Sequence, residues 1–271
     1  MFYEHGQICY QISLHKEILK RKIQDFFSNT KFAKIKNDVD LDFLIKAHTS
    51  LLNRKLLGVD ERLQLNKIRN IEIACKAISG LVIKPGETFS FWKLIGRPSR
   101  SRGFKEGLVI KKDSLSSGYG GGLCQMANMI HWLVLHTPLD VIELHHHSDA
   151  LFPDYQRRVP FGTGTSVSYN AVDYRFKNNT DTNIQLLVWI DDGYLCGEIR
   201  SDKQFDCKYK IIEEDSQYKE ENGIFYRCSK VFKLTIDKKD STVIKKELVL
   251  DNHSKVMYDY NLIPKEEIRN D

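Results

Sequence analysis

A cysteine stands where a helix begins. Ser117-Gly-Tyr-Gly-Gly-Gly-Leu-Cys-Gln-Met-Ala-Asn-Met-Ile-His-Trp-Leu-Val-Leu135 runs from a glycine-rich loop into an amphipathic helix, with Cys124 in its first turn. Unpaired N–H groups and the positive end of a helix dipole lower a thiol's pKa, and the thiolate is the reactive form. Gly120, Gly121 and Gly122 permit main-chain angles closed to other residues and let a ligand approach the backbone. The amides they expose suit an anion or a developing oxyanion. At about 100° per residue, Met126, Met129, Ile130, Leu133 and Val134 share the inward face, and Cys124, Asn128, His131 and Leu135 form another stripe. Asn128 is one turn from Cys124, placed with Gln125 to position a substrate. His131 is two turns along, about 10 Å, too far to act as the base for Cys124.

A base within reach comes from the next segment. In Val141-Ile-Glu-Leu-His-His-His-Ser148, read as a strand, Glu143, His145 and His147 share one face and His146 points the other way. A strand that follows a helix commonly packs on it, which brings His145 or His147 toward Cys124. Asp173 is the candidate for orienting that histidine, in the order nucleophile, base, carboxylate. The same residues admit a zinc reading, with Cys124, His145 and His147 as three ligands and an open position for water. They equally admit a binding module in which the glycine loop and helix N-terminus capture a carboxylate without breaking bonds, or a histidine-rich interior strand. The leading expectation has neither metal nor cofactor.

The elements that must position these residues follow from periodicity. Residues 1–64 read as a helical region: Leu14, Ile18, Ile23 and Phe26/Phe27 recur at near-helical spacing, as do Leu41, Leu44, Ile45, Leu51 and Leu52. A further helix spans about 61–79, capped by Gly80. Pro85-Gly86 marks a turn, and Thr88-Phe-Ser-Phe91 a short strand. Glu87 in that turn is grouped with the substrate-binding set, against the plainer reading of a solvated turn residue. Leu108–Ile110 reads as a strand and 114–122 as a loop, while Pro138 ends the cysteine helix and 140–147 follows as a strand. From Thr165 onward the chain is β-rich, with turns at Asn178–Asp181 and Asp191-Asp-Gly193. Helices first and antiparallel strands last give an α+β fold: a helical N-terminal part, a central glycine-loop, helix and strand core, and an antiparallel β-rich C-terminal part.

With 271 residues, 41% of them apolar, the chain is long enough to bury a sizeable core. The net charge of +5 is dispersed. The densest basic cluster, Lys16–Lys22, is interrupted by Glu17 and followed by Phe26 and Phe27, so it reads as a solvated helix face and not a nucleic-acid footprint. Six scattered cysteines without CxxC pairs read as free thiols in a reducing compartment. No apolar window is long enough for a transmembrane segment and no signal peptide is visible, so the expected location is cytoplasmic.

Ile83-Lys-Pro-Gly-Glu-Thr-Phe-Ser-Phe-Trp92, Gly120-Gly-Gly-Leu-Cys-Gln-Met-Ala-Asn128 and Asp173-Tyr-Arg-Phe-Lys-Asn-Asn-Thr-Asp181 resemble the VanW family, as does the histidine segment Glu143–Ser148. The resemblance covers residues 65–205 best and divides the chain into a helical region (1–64), a VanW-like core (65–205) and a β-rich extension (206–271). Leu144 stands where many members have arginine, and Gly164 where many have aspartate. The resemblance implies a link to glycopeptide resistance or cell-wall peptidoglycan, with a cell-wall peptide or precursor as ligand. It implies no particular reaction. The expectation is therefore either acyl transfer or amide hydrolysis by Cys124, with His145 or His147 as base, or non-catalytic binding of a cell-wall peptide or its carboxylate.

Overall fold

Hydrogen-bonded strands supply most of the framework. The computed structural model describes residues 7–53, 61–111, 114–146, 149–150, 153, 159–169 and 171–269. His147, one of the two candidate bases, lies outside the described residues. The helices are α1 (Gln7–Phe27), α2 (Glu61–Ile78), α3 (Phe91–Ile95) and α4 (Leu123–Leu135). A five-stranded antiparallel sheet has the order Ile35–Lys36, Leu81–Ile83, Ile184–Asp191, Tyr194–Ser201, Phe43–Leu51. Helices α2 and α4 pack on this sheet and on each other. The inward face read from the α4 sequence is the buried one: Met126, Met129, Ile130, Leu133 and Val134 all enter the main core with Ile71, Ile78, Leu186 and Ile199. Helix α4 lies so close to the sheet that a Cβ on Gly197 would sit 3.0 Å from Leu133.

A second sheet orders Thr88–Ser90, Arg175–Lys177 and Asp140–Glu143, all antiparallel. Phe89 and Phe176, paired across it, stack with ring centres 4.6 Å apart and seal the core beside Tyr174. Glu106–Lys111 and Ser114–Tyr119 form a hairpin that leads into the glycine loop. The C-terminal strands Cys207–Glu221, Ile224–Asp237 and Val243–Val256 form an antiparallel sheet, which Asp149–Ala150 joins in parallel. Ala150, Phe161, Tyr218, Val256 and Ile263 give it a small core of its own. The architecture is α+β with antiparallel sheets.

Four local expectations need correction. Residues 41–52, read as helix, hold the Phe43–Leu51 strand, which pairs along the whole of Tyr194–Ser201. A small set of apolar residues in a short window can satisfy both periods, and the unfilled edge of the sheet decides between them. The Ser/Gly-rich run 114–119, read as loop, is a strand because Glu106–Lys111 supplies its partner. The strand from Asp140 stops at Glu143, after an irregular register between Val141 and Glu143, so Leu144–His146 are not in it. Residues 166–169, read as strand, contribute only an isolated bridge between Ser168 and Val172.

Candidate functional site

The glycine loop is closed by neighbouring backbone and side chains. A Cβ on Gly121 would lie 2.2 Å from the carbonyl carbon of Gly107, in the first strand of the hairpin. Gly122 has a left-handed backbone (φ +96°), and a Cβ there would meet the stem of Lys67 from α2. Gly120 packs on Pro98, and its amide donates to Lys105 O. The amides of Gly121 and Leu123 close turns onto Gly118 and Gly120. Of the amides read as an oxyanion cradle, Gly121 and Leu123 are thus already used. Those of Gly122 and Cys124 have no main-chain acceptor among the described residues, and no side chain caps α4.

Asn70, fully buried on α2, is not among the residues that the sequence singles out. Its amide donates to Gly121 O (2.9 Å) and Lys105 O (3.0 Å), and its Oδ1 accepts from Lys105 N (2.8 Å). Asn66, one turn earlier, donates to Glu106 O. Two asparagines spaced i, i+4 inside an amphipathic helix are the available signal, because asparagine is a poor helix former unless its amide is used elsewhere.

Among the described residues, Cys124 does not meet a base. Its Sγ lies 3.8 Å from Val167 O, a weak contact that only a protonated thiol can donate. Burial pushes the thiol pKa up, opposite to the shift expected at a helix start. Desolvation of the thiolate outweighs the main-chain dipoles here. Segment 165–167 lies between the cysteine and the histidine: Ser166 N and Thr165 Oγ1 donate to His145 O, while Val167 faces Cys124. The His145 ring turns to Glu143, with Nε2 3.3 Å from Oε1. His146 binds the carbonyls of Gly162 and Gly164 through Nδ1. His131, buried against the Tyr174 hydroxyl, is pushed down to about 3 by burial and stays neutral.

The remaining candidates hold the chain together. Gln125 donates to Ser50 Oγ and Leu51 O, clamping α4 to the edge strand. Asn128 accepts from Thr165 N at 2.7 Å, fixing the segment beside Cys124. The Glu87 carboxylate accepts from Lys84 N inside its own turn. Among the described residues, no group of three or more His, Cys, Asp or Glu side chains is arranged to hold a metal ion.

Asp173 does not contact His145; it is the hub of a buried polar cluster. It accepts from Ser90 Oγ (2.6 Å), Trp92 N (3.1 Å), Tyr174 N (2.9 Å) and Arg175 Nε (2.7 Å). Arg175 continues to Asp25 on α1, which also pairs with Lys93. Glu143 accepts from the Asp173 amide and pairs with Arg21 of α1. The carboxylate beside His145 is therefore Glu143. Burial raises the pKa of Glu143, but Arg21, the Asp173 amide and His145 together draw it below the ordinary 4.5. Asp25 is likewise held below 3.8, against burial, by Arg175 and Lys93. Both folded values lie under the unfolded ones, so their stabilisation is present above about pH 4.5 and is lost as pH falls through the folded values. Below pH 4.5 the docking of α1 should weaken progressively. Amide exchange in α1 would accelerate first, and Arg21→Ala would flatten that dependence; exchange in α1 independent of pH would refute the account.

Residues 66–200 match the family model described as VanW like protein. The vancomycin B-type resistance protein VanW of Enterococcus faecalis is 33% identical over 232 residues, covering 86% of this chain and 84% of that protein. The uncharacterized protein YoaR of Bacillus subtilis is 36% identical over 115 residues, covering 42% of this chain and 36% of that protein. No solved structure matches the chain.

Proposed function

Because the chain belongs to the family of VanW-like proteins, we propose that it acts in glycopeptide resistance by holding a cell-wall peptide through its carboxylate. The observation that carries this reading is the start of α4, where the Gly122 and Cys124 amides have no main-chain acceptor among the described residues and no side chain caps the helix. A helix N-terminus with unused amides favours an anion electrostatically and through hydrogen bonds. The thiol beside them is protonated, held on a carbonyl and separated from His145 by Thr165–Val167. In this reading Cys124 shapes the site and does not attack.

An isotope-labelled protein titrated with an acyl peptide ending in a free carboxylate should show shifts in the Gly122 and Cys124 amide resonances. The same peptide with an amidated end should not produce them. Cys124→Ser should bind as the unaltered protein does and preserve vancomycin resistance in cells. Identical responses to both peptides would remove the carboxylate from the reading.

The Glu143–His145 contact favours a second reading, in which Cys124 is a nucleophile and His145 a base oriented by Glu143. That chemistry requires Thr165–Val167 to withdraw so that imidazole and thiol come within hydrogen-bond reach. It predicts loss of resistance in both Cys124→Ser and His145→Gln, and rapid alkylation of Cys124 near neutral pH.

A further inference from the structure

Helix α1 carries an apolar stripe on its exposed side. Among the described side chains, ionic contacts tie it to the body of the protein: Arg21 reaches Glu143 and Ala171 O, and Asp25 reaches Arg175 and Lys93. At about 100° per residue Arg21 lies opposite Ile12, Leu19, Ile23 and Phe26, which fall within roughly 60° of one another, and Asp25 lies about 130° from the centre of that stripe. All four are exposed, with Phe26 at 82%, and the adjoining Phe27 is 76% exposed. Exposed lysines border this stripe on both sides, Lys16 and Lys20 on one and Lys22 on the other. Glu17 projects well away from the stripe, and Asp25 is turned inward.

From this arrangement we infer that α1 is an interfacial anchor that lies flat on a membrane bearing anionic lipids. The apolar stripe enters the boundary between headgroups and acyl chains while the flanking lysines meet lipid phosphates. Charge distinguishes this occupant from a second copy of the chain. Pairing two α1 stripes would bring lysine borders together without an acidic partner, in a chain already carrying +5. Among the described residues no helix is long and apolar enough to cross a membrane, so attachment by this route is peripheral.

The test is co-sedimentation of the full chain with vesicles of phosphatidylcholine alone and of phosphatidylcholine mixed with phosphatidylglycerol. Binding should favour the anionic vesicles by about tenfold or more and weaken as salt is raised. The double variant Phe26→Ser/Phe27→Ser should lose about tenfold or more in affinity, because two large side chains no longer enter the bilayer. Both side chains are exposed, so its circular dichroism and melting should match the unaltered protein. Lys16→Glu/Lys20→Glu/Lys22→Glu should abolish the preference for anionic lipid. Equal partition into both vesicle types, or failure to bind either, overturns the anchor. So does a dimer in vesicle-free solution that the phenylalanine variant dissociates, since the stripe would then be a self-association surface.

Discussion

Gly121→Ala should destabilise the protein by about 3 kcal/mol, read as a shift in the urea unfolding midpoint at unchanged slope. The reason is steric and local. The added methyl would fall 2.2 Å from the Gly107 carbonyl carbon, 2.5 Å from its Cα and 2.6 Å from its oxygen. Those are main-chain atoms of a paired strand, so no side chain can rotate away. Relief requires the Glu106–Tyr119 hairpin to separate from the start of α4, breaking the buried Asn70 bonds to Gly121 and Lys105. Gly86→Ala is the control. Gly86 has a left-handed backbone (φ +80°) but meets nothing within 4 Å, and its replacement should lose only about 1 kcal/mol from strain. If the two variants were equally mild, the loop would not be closed on Gly107, and its glycines would be free to admit a ligand.

Asp173→Ala should cost about 3–5 kcal/mol, the range for breaking one partner out of a buried ionic network. The loss has several components. Ser90 Oγ and the amides of Trp92 and Tyr174 lose an acceptor in a buried region, and Arg175 is left with Asp25 and the more distant Glu143. Ser90 also caps α3 by accepting from Lys93 N, so the start of that helix loosens as well. Pairing Asp173→Asn with Arg175→Met should recover part of the loss, because the guanidinium left without Asp173 is removed with it while Asp25 keeps Lys93. A cycle of single and double variants by chemical denaturation measures this. Strict additivity would show that Arg175 is not the group that makes Asp173 necessary.

The candidate site is only partly legible in the sequence. The inward face of α4 is legible because Met126, Ile130 and Leu133 repeat at one period on a helix that no competing pattern contradicts. The Glu143–His145 neighbourhood is also legible, since i, i+2 spacing is short enough to survive the early end of the strand. Asp173 stands out as a residue with unusual demands, but spacing cannot say whether a carboxylate faces a histidine or a buried arginine. That choice is made by Arg175, which holds Asp173 and carries the cluster on to Asp25, 150 residues earlier in the chain. The Cys124 environment is the least legible. A helix dipole can be read from a glycine before a cysteine, whereas the covering segment at Val167 and its desolvation cannot.

The five-stranded sheet also sets an order of assembly. Its edge strand Phe43–Leu51 leaves the ribosome long before Tyr194–Ser201, the strand it pairs with in that sheet. Gln125 is ready to clamp Ser50 and Leu51 earlier, but its helix has no sheet to rest on until the Ile184–Ser201 hairpin arrives. Loop closure over that distance is slow, so the nascent chain carries an unpaired strand through most of its synthesis. Cellular yield should accordingly depend on chaperone capacity, and a rearranged chain that places Phe43–Leu51 after Ser201 should fold faster than the natural order.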